Sequence, residues 1–203
     1  MTTTLTSLYD DYNDAVRTVQ ELEASGIPHS DLSMVANHAA SGYVEERSNA
    51  GAGAGTGAGV GAVIGGGAGL LAGLGMLAIP GVGPVVAAGW LVATAVGAVA
   101  GGGVGAASGG IIGSMTSAGV DERDAHVYAE GVRRGGTLVT ARVAESQAAA
   151  AETIMDRNNP VDLAVRGKAY RDAGWTTFDE RAAPYTEAEV ESERAPYRRD
   201  RAL

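Results

Sequence analysis

Residues 79–84 read Ile79-Pro80-Gly81-Val82-Gly83-Pro84, and they sit near the middle of a run of 73 residues, between Arg47 and Asp121, without one ionisable side chain. Two prolines and two glycines in six positions demand a turn. Glycine recurs every fourth residue on either side of it. The first row is Gly53, Gly57, Gly61, Gly65, Gly69 and Gly73; the second is Gly89, Ala93, Gly97, Gly101, Gly105, Gly109 and Gly113. Residues four apart share one face of a helix, and a face of glycines lets another backbone approach closely. The spacing therefore predicts a Gly/Ala-rich antiparallel helical hairpin over 41–120, with its turn at Pro80, Gly81, Gly83 and Pro84. Glycine costs roughly 1 kcal/mol per helical position relative to alanine, so such arms need a partner surface.

Each arm has the length to cross a hydrocarbon layer of about 30 Å at about 1.5 Å per residue. Leu70, Leu71 and Leu74 make the end of the first arm apolar, and Trp90 just past the turn suits a membrane interface or a core anchor. Both flanks of the run are rich in acid and base together: Glu45, Glu46 and Arg47 before it, Asp121, Glu122, Arg123 and Asp124 after it.

Outward from the run, the chain alternates strand and helix patterns. Thr3 to Tyr9 reads as a strand leading into Asp10-Asp11, which suit a helix start. Tyr12, Ala15, Val16, Val19 and Leu22 follow helical spacing up to Gly26 and Pro28, and Asp31 to Ala36 makes a second strand. On the far side Asp121 caps a helix bearing Ala125, Tyr128 and Val132, Thr137 to Val143 alternates as a strand, and Glu145 to Arg157 is a helix ended by Asn158-Asn159-Pro160. Val161 to Val165 reads as one more short strand. The expected class is α+β: a ferredoxin-like split β-α-β sandwich, its first half in 1–40 and its second in 121–166, interrupted by the hairpin. The remainder, 167–203, is charged and reads as an extended tail with a short helix from Thr186 to Arg194. Its aromatic anchors are Tyr170, Trp175, Phe178, Tyr185 and Tyr197.

Composition removes several functions. A net charge of -9 opposes a phosphate-backbone binder, so nucleic acid is not an expected partner. The chain has no cysteine, which excludes disulfides and thiolate sites. Met1 to Tyr12 lacks the basic and apolar regions of a secretory signal, so a cytoplasmic start is expected. No phosphate-binding loop follows a strand, and Gly167-Lys168 runs into Ala169, so no nucleotide is expected. His29, His38 and His126 share no helix face, and Asp121, Glu122 and Asp124 are first-turn helix charges. No catalytic residue, metal or cofactor is expected.

Ser7-Leu8-Tyr9-Asp10-Asp11 with Ala15, Leu22 and Gly26-Ile27-Pro28, the glycine rows around Ala78 to Pro84, and Tyr128 to Val143 together resemble the general stress protein 17M-like (heat-induced stress protein) family. The resemblance covers about Leu5 to Asp162, with Gly135-Gly136-Thr137-Leu138-Val139 and the turn as its most specific parts. It implies a bacterial, stress-associated protein of undefined molecular activity, with a small α/β domain at the membrane or in an assembly and no catalytic residues to carry over. Two functional readings follow. In one the hairpin inserts into the bacterial inner membrane, lipid being a partner, and a cytoplasmic α/β domain is left outside. In the other the glycine hairpins pack together in a soluble homo-oligomeric ring, shell or filament. A ligand-sensing ferredoxin-like domain is a third reading, and self-association through the glycine rows is common to the first two.

Overall fold

A computed structural model describes residues 2–37, 75–79, 81–94, 110–183 and 185–199, with the backbone alone at 75–78 and 198–199. Its centre is a five-stranded antiparallel sheet in the order β1-β5-β2-β4-β3. The strands are β1 (Thr2–Tyr9), β2 (Leu32–Asn37), β3 (Gly75–Ile79), β4 (Gly83–Gly89) and β5 (Thr137–Ala144). β1 and β2 run parallel because each pairs antiparallel with β5 between them, through Leu8↔Leu138 and Val35↔Leu138. That is a split β-α-β unit, closed by α1 (Tyr12–Ala24). β4 and β5 are related in the same way across β2.

The helices lie on both faces. α1 and α4 (Glu145–Arg157) cover one face, where Ala15, Val19, Leu22, Ile154 and Met155 meet Tyr9, Met34, Val139 and Val143. The other face is covered by α2 (Ile111–Ser117) and α3 (Glu122–Arg133), whose Met115, Ala125, Ala129 and Val132 meet Leu8, Val35, Val85 and Leu138. Adjacent residues of one strand thus enter different cores, which is why every residue of β2 is buried. Mixed α/β architecture agrees with the expected class, and the helix after Asp121 builds a second helical layer together with α2.

The limits of α1 and α4 are those the sequence indicates, set by Asp11 at one end and Asn158 at another. Asp11 accepts from the Asn13 amide at 2.8 Å, and Asp121 accepts from the Arg123 amide at 2.9 Å to start α3.

Two expectations are corrected. The turn at 79–84 does not join helical arms: it joins β3 to β4, paired from Gly75↔Ala87 to Ile79↔Gly83. Val82 N–H donates to the Ile79 carbonyl at 3.1 Å, and Gly81 at φ +74° takes the left-handed conformation of the third turn position. Strand wins over helix here because Val85-Val86-Ala87-Ala88 is a short apolar run that buries both faces between β2 and the helices. The turn itself is covered by protein: Val82 is fully buried, and a Cβ at Gly81 would run into the Asp179 and Glu180 backbone.

The second correction concerns 161–203. Val161 makes one backbone bond, from its N–H to the Leu8 carbonyl at 2.7 Å, and the chain then turns helical as α5 (Leu163–Asp172). Asp162 caps α5 by accepting from Val165 N–H, and Gly174 at φ +90° ends it as Trp175 N–H reaches back to the Tyr170 carbonyl. α6 (Glu187–Arg199) is longer than the expected Thr186 to Arg194, and begins with a reciprocal cap between Thr186 and Glu189. The described residues of the tail form a packed, largely helical segment rather than an extended arm.

Candidate functional site

The densest polar constellation among the described residues lies where the C-terminal segment meets the C-terminal end of α3. Glu130, at 0% exposure, faces Arg133 and Arg134 one helical turn on: Arg133 Nη2 donates to its Oε1 at 2.7 Å, and Arg134 Nε donates at 2.6 Å. Arg134 then bridges to α6 through Nη1 and Glu193 Oε1 at 3.0 Å. Its guanidinium lies 4.2 Å from the centroid of Tyr170 and 5.5 Å from that of Tyr185, while Arg133 lies 5.0 Å from Tyr185. Burial opposes the charge on Arg134, but Glu130 and Glu193 outweigh it and its pKa is raised.

A second node ties α5 and α6 to the end of β1. Arg166 grips Asp10 through two bonds of 2.9 and 2.8 Å, and its guanidinium stacks 3.6 Å from the Tyr197 ring centroid. Arg194 donates to the Asp10 carbonyl. Here too burial opposes the charge, Asp10 more than compensates, and the Arg166 pKa is raised. Tyr170, almost fully buried between these nodes, meets Trp175 edge-on at 5.9 Å, and burial drives its phenol well above the usual range. Phe178 completes the contact by entering the apolar core that also holds Ile79, Val82, Ile111 and Met115, with its ring against the turn at Gly81.

Chemically this is a clasp. Glu130, Glu193 and Asp10 are each matched by arginine, and the guanidinium groups of Arg133, Arg134 and Arg166 each lie over an aromatic ring, an arrangement that fixes the C-terminal segment over the β3–β4 turn.

The sequence-predicted residues fall elsewhere. Gly53, Gly57, Gly61, Gly65, Gly69, Gly73, Gly97, Gly101, Gly105, Gly109, Leu70, Leu71, Leu74 and Pro80 lie outside the described residues. Gly89 is not on a helix face: it ends β4 at φ +99°, and a Cβ there would run into the Leu32 carbonyl and the Ser33 backbone. Ala93 is exposed in the helical turn that follows, and Gly113 lies within α2. Gly81, Gly83 and Pro84 belong to the β-turn and the start of β4. Trp90 is a half-buried anchor, its Nε1 donating to the Asp31 carbonyl at 3.1 Å and its ring lying 4.6 Å from the Arg142 guanidinium. His126 Nδ1 lies 3.0 Å from Thr177 Oγ1, and His29 sits exposed in a short 3-10 turn. Among the described residues, no group of three or more histidines and carboxylates is placed to hold a metal ion.

The sequence places Asp10 at a helix start and does not single out Glu130, Arg133, Arg134, Arg166 or Glu193. Their one local signal is the three- and four-residue spacing of Glu130 to Arg133 and Arg134; the partners Glu193 and Asp10 are distant in sequence. Comparison with known proteins returns no matching family model, no matching curated protein and no matching solved structure.

Proposed function

We propose that the protein is a non-enzymatic, stress-associated structural protein that self-associates through its glycine rows, with the α/β domain as the frame that carries them. The stress association rests on the sequence resemblance alone. The observation that carries self-association is the pair of uncharged glycine-rich segments, 48–74 and 95–109, within the run of 73 residues that has no ionisable side chain. Glycine at every fourth position leaves too little side chain to bury internally, and close backbone approach by a second such segment supplies the missing contact.

Between the two settings read from the sequence, chain length favours assembly in water. With 75–79 and 83–89 in the sheet, Leu91 and Val92 in the core and Ile111 opening α2, the return arm is reduced to 95–109. Those 15 residues reach about 22 Å as a helix, short of the roughly 30 Å of hydrocarbon. Residues 48–74 number 27, fewer than the roughly 40 that crossing out and back requires. Among the described residues no helix is long and apolar enough to cross a membrane.

The test is fractionation of the expressed protein with alkaline carbonate extraction of the membrane pellet. Release as a large, detergent-independent particle is the expected result. Retention in the pellet until detergent is added would overturn assembly in water and return the membrane-inserted reading.

A further inference from the structure

We propose that the outer edge of β1 is a second self-pairing surface, through which two copies of the chain join antiparallel over Thr2–Thr6 and continue the sheet across the pair. β1 is an edge strand with β5 as its sheet neighbour. Its outward groups can be assigned. The Thr6 carbonyl accepts from the Tyr128 hydroxyl at 2.8 Å and the Leu8 carbonyl from Val161 N–H at 2.7 Å, so both point away from β5. Alternate residues of an antiparallel strand share that direction, which turns the N–H and C=O of Thr2 and Thr4 outward as well. Val161 closes the edge at its Tyr9 end, and the Tyr128 hydroxyl takes one of the two lone pairs of the Thr6 carbonyl; toward Thr2 no described residue bonds to the edge, and Thr2 and Thr3 are exposed.

Proteins guard such edges with lysine, proline or a bulge, and an unguarded edge is a template for another strand. From Thr2 to Tyr9 there is no charge, proline or glycine, and threonine is a strong strand former. The chemistry of the strip selects a second copy as the occupant. Thr2-Thr3-Thr4-Leu5-Thr6 is nearly symmetric about Thr4. A two-fold pairing centred there sets Thr4 against Thr4, Thr2 against Thr6 and Thr3 against Leu5, and facing threonines are favourable pairs. Half-buried Leu5 and Ala148, packed on the α1–α4 face, add apolar surface beside the seam. In a chain of net charge -9, an uncharged strip is also where two copies repel least. An extended peptide from another protein would find no charge on this edge to select it.

This interface stands on β1 alone and does not require the glycine rows. Two-fold pairing makes Thr4 a hydrogen-bonded pair with its counterpart at a Cα separation of about 5.5 Å, within the range a disulfide spans. The chain contains no cysteine, so Thr4→Cys reports that contact cleanly. Dilute full-length Thr4→Cys, oxidised without detergent, is expected to run mainly as a disulfide-linked dimer on a non-reducing gel. The same cross-link is expected when Gly61, Gly65 and Gly69 are also replaced by leucine. In that leucine background Thr4→Pro, which removes only an outward N–H, is expected to halve the mass in solution with an unchanged circular dichroism spectrum. Absence of the Thr4→Cys cross-link, preferential self-cross-linking of Thr2→Cys, or an unchanged mass for Thr4→Pro would each overturn the proposal.

Discussion

The β3–β4 hairpin and the C-terminal α5–α6 segment meet at the same core, and they are held by opposite means. The hairpin carries no charge and is held by the β2–β4 ladder and by burial of Val82, Val85 and Ile79. The C-terminal segment is dense in charge and is held by Arg166–Asp10, Arg134–Glu193 and their aromatic neighbours. Apolar burial is not screened by salt, whereas partly exposed ion pairs weaken as ionic strength rises. One domain therefore contains a region that salt cannot loosen and a region that it can.

The largest expected effect comes where the two regions meet. Phe178 inserts from the C-terminal segment into the core beside the hairpin, and Phe178→Ala should cost about 4 kcal/mol in urea unfolding, with earlier proteolysis near residue 180. Within the hairpin region, Leu91→Ala should cost about 3 kcal/mol, equally at low and high salt, because Leu91 is fully buried among apolar neighbours. A salt-dependent Leu91→Ala effect would break the contrast.

Asp10→Asn sharpens it from the other side. The change removes half of a bidentate pair at a site that is about one-sixth exposed, and should cost about 2 kcal/mol at low salt and clearly less at high salt. Equal costs at both salts would place the clasp with the apolar core.

The smallest effect at neutral pH belongs to Tyr170. Burial raises its phenol above the ordinary value near 10, so the unfolded chain loses this proton first and the folded state keeps it. The contribution is complete below pH 10 and is lost as the pH climbs toward the folded value. Tyr170→Phe should leave the neutral-pH melting curve almost unchanged and move the alkaline unfolding midpoint upward.

What the sequence disclosed and what it concealed follow the same division. Tyr12–Ala24 and Glu145–Arg157 were legible because an amphipathic stripe and a terminal signal coincide in each. Gly75–Ile79 and Gly83–Gly89 were not, since a four-residue glycine spacing overlies a short apolar run that only the neighbouring strand β2 makes into sheet. α5 had readable boundaries in Asp162 and Gly174, but the apolar run Val161 to Val165 resembled a strand. The clasp was the least legible feature. Its pairs join α3 and the end of β1 to α5 and α6, and no local pattern relates Arg134 to Glu193 or Asp10 to Arg166.

Self-association through the glycine rows is tested most directly by light scattering of the purified chain in detergent-free buffer, beside the variant with Gly61, Gly65 and Gly69 replaced by leucine. The account predicts a large particle for the parent chain and a species of one or two chains for the variant. A parent chain that scatters as one or two chains, or a variant that keeps the parent's mass, would contradict it.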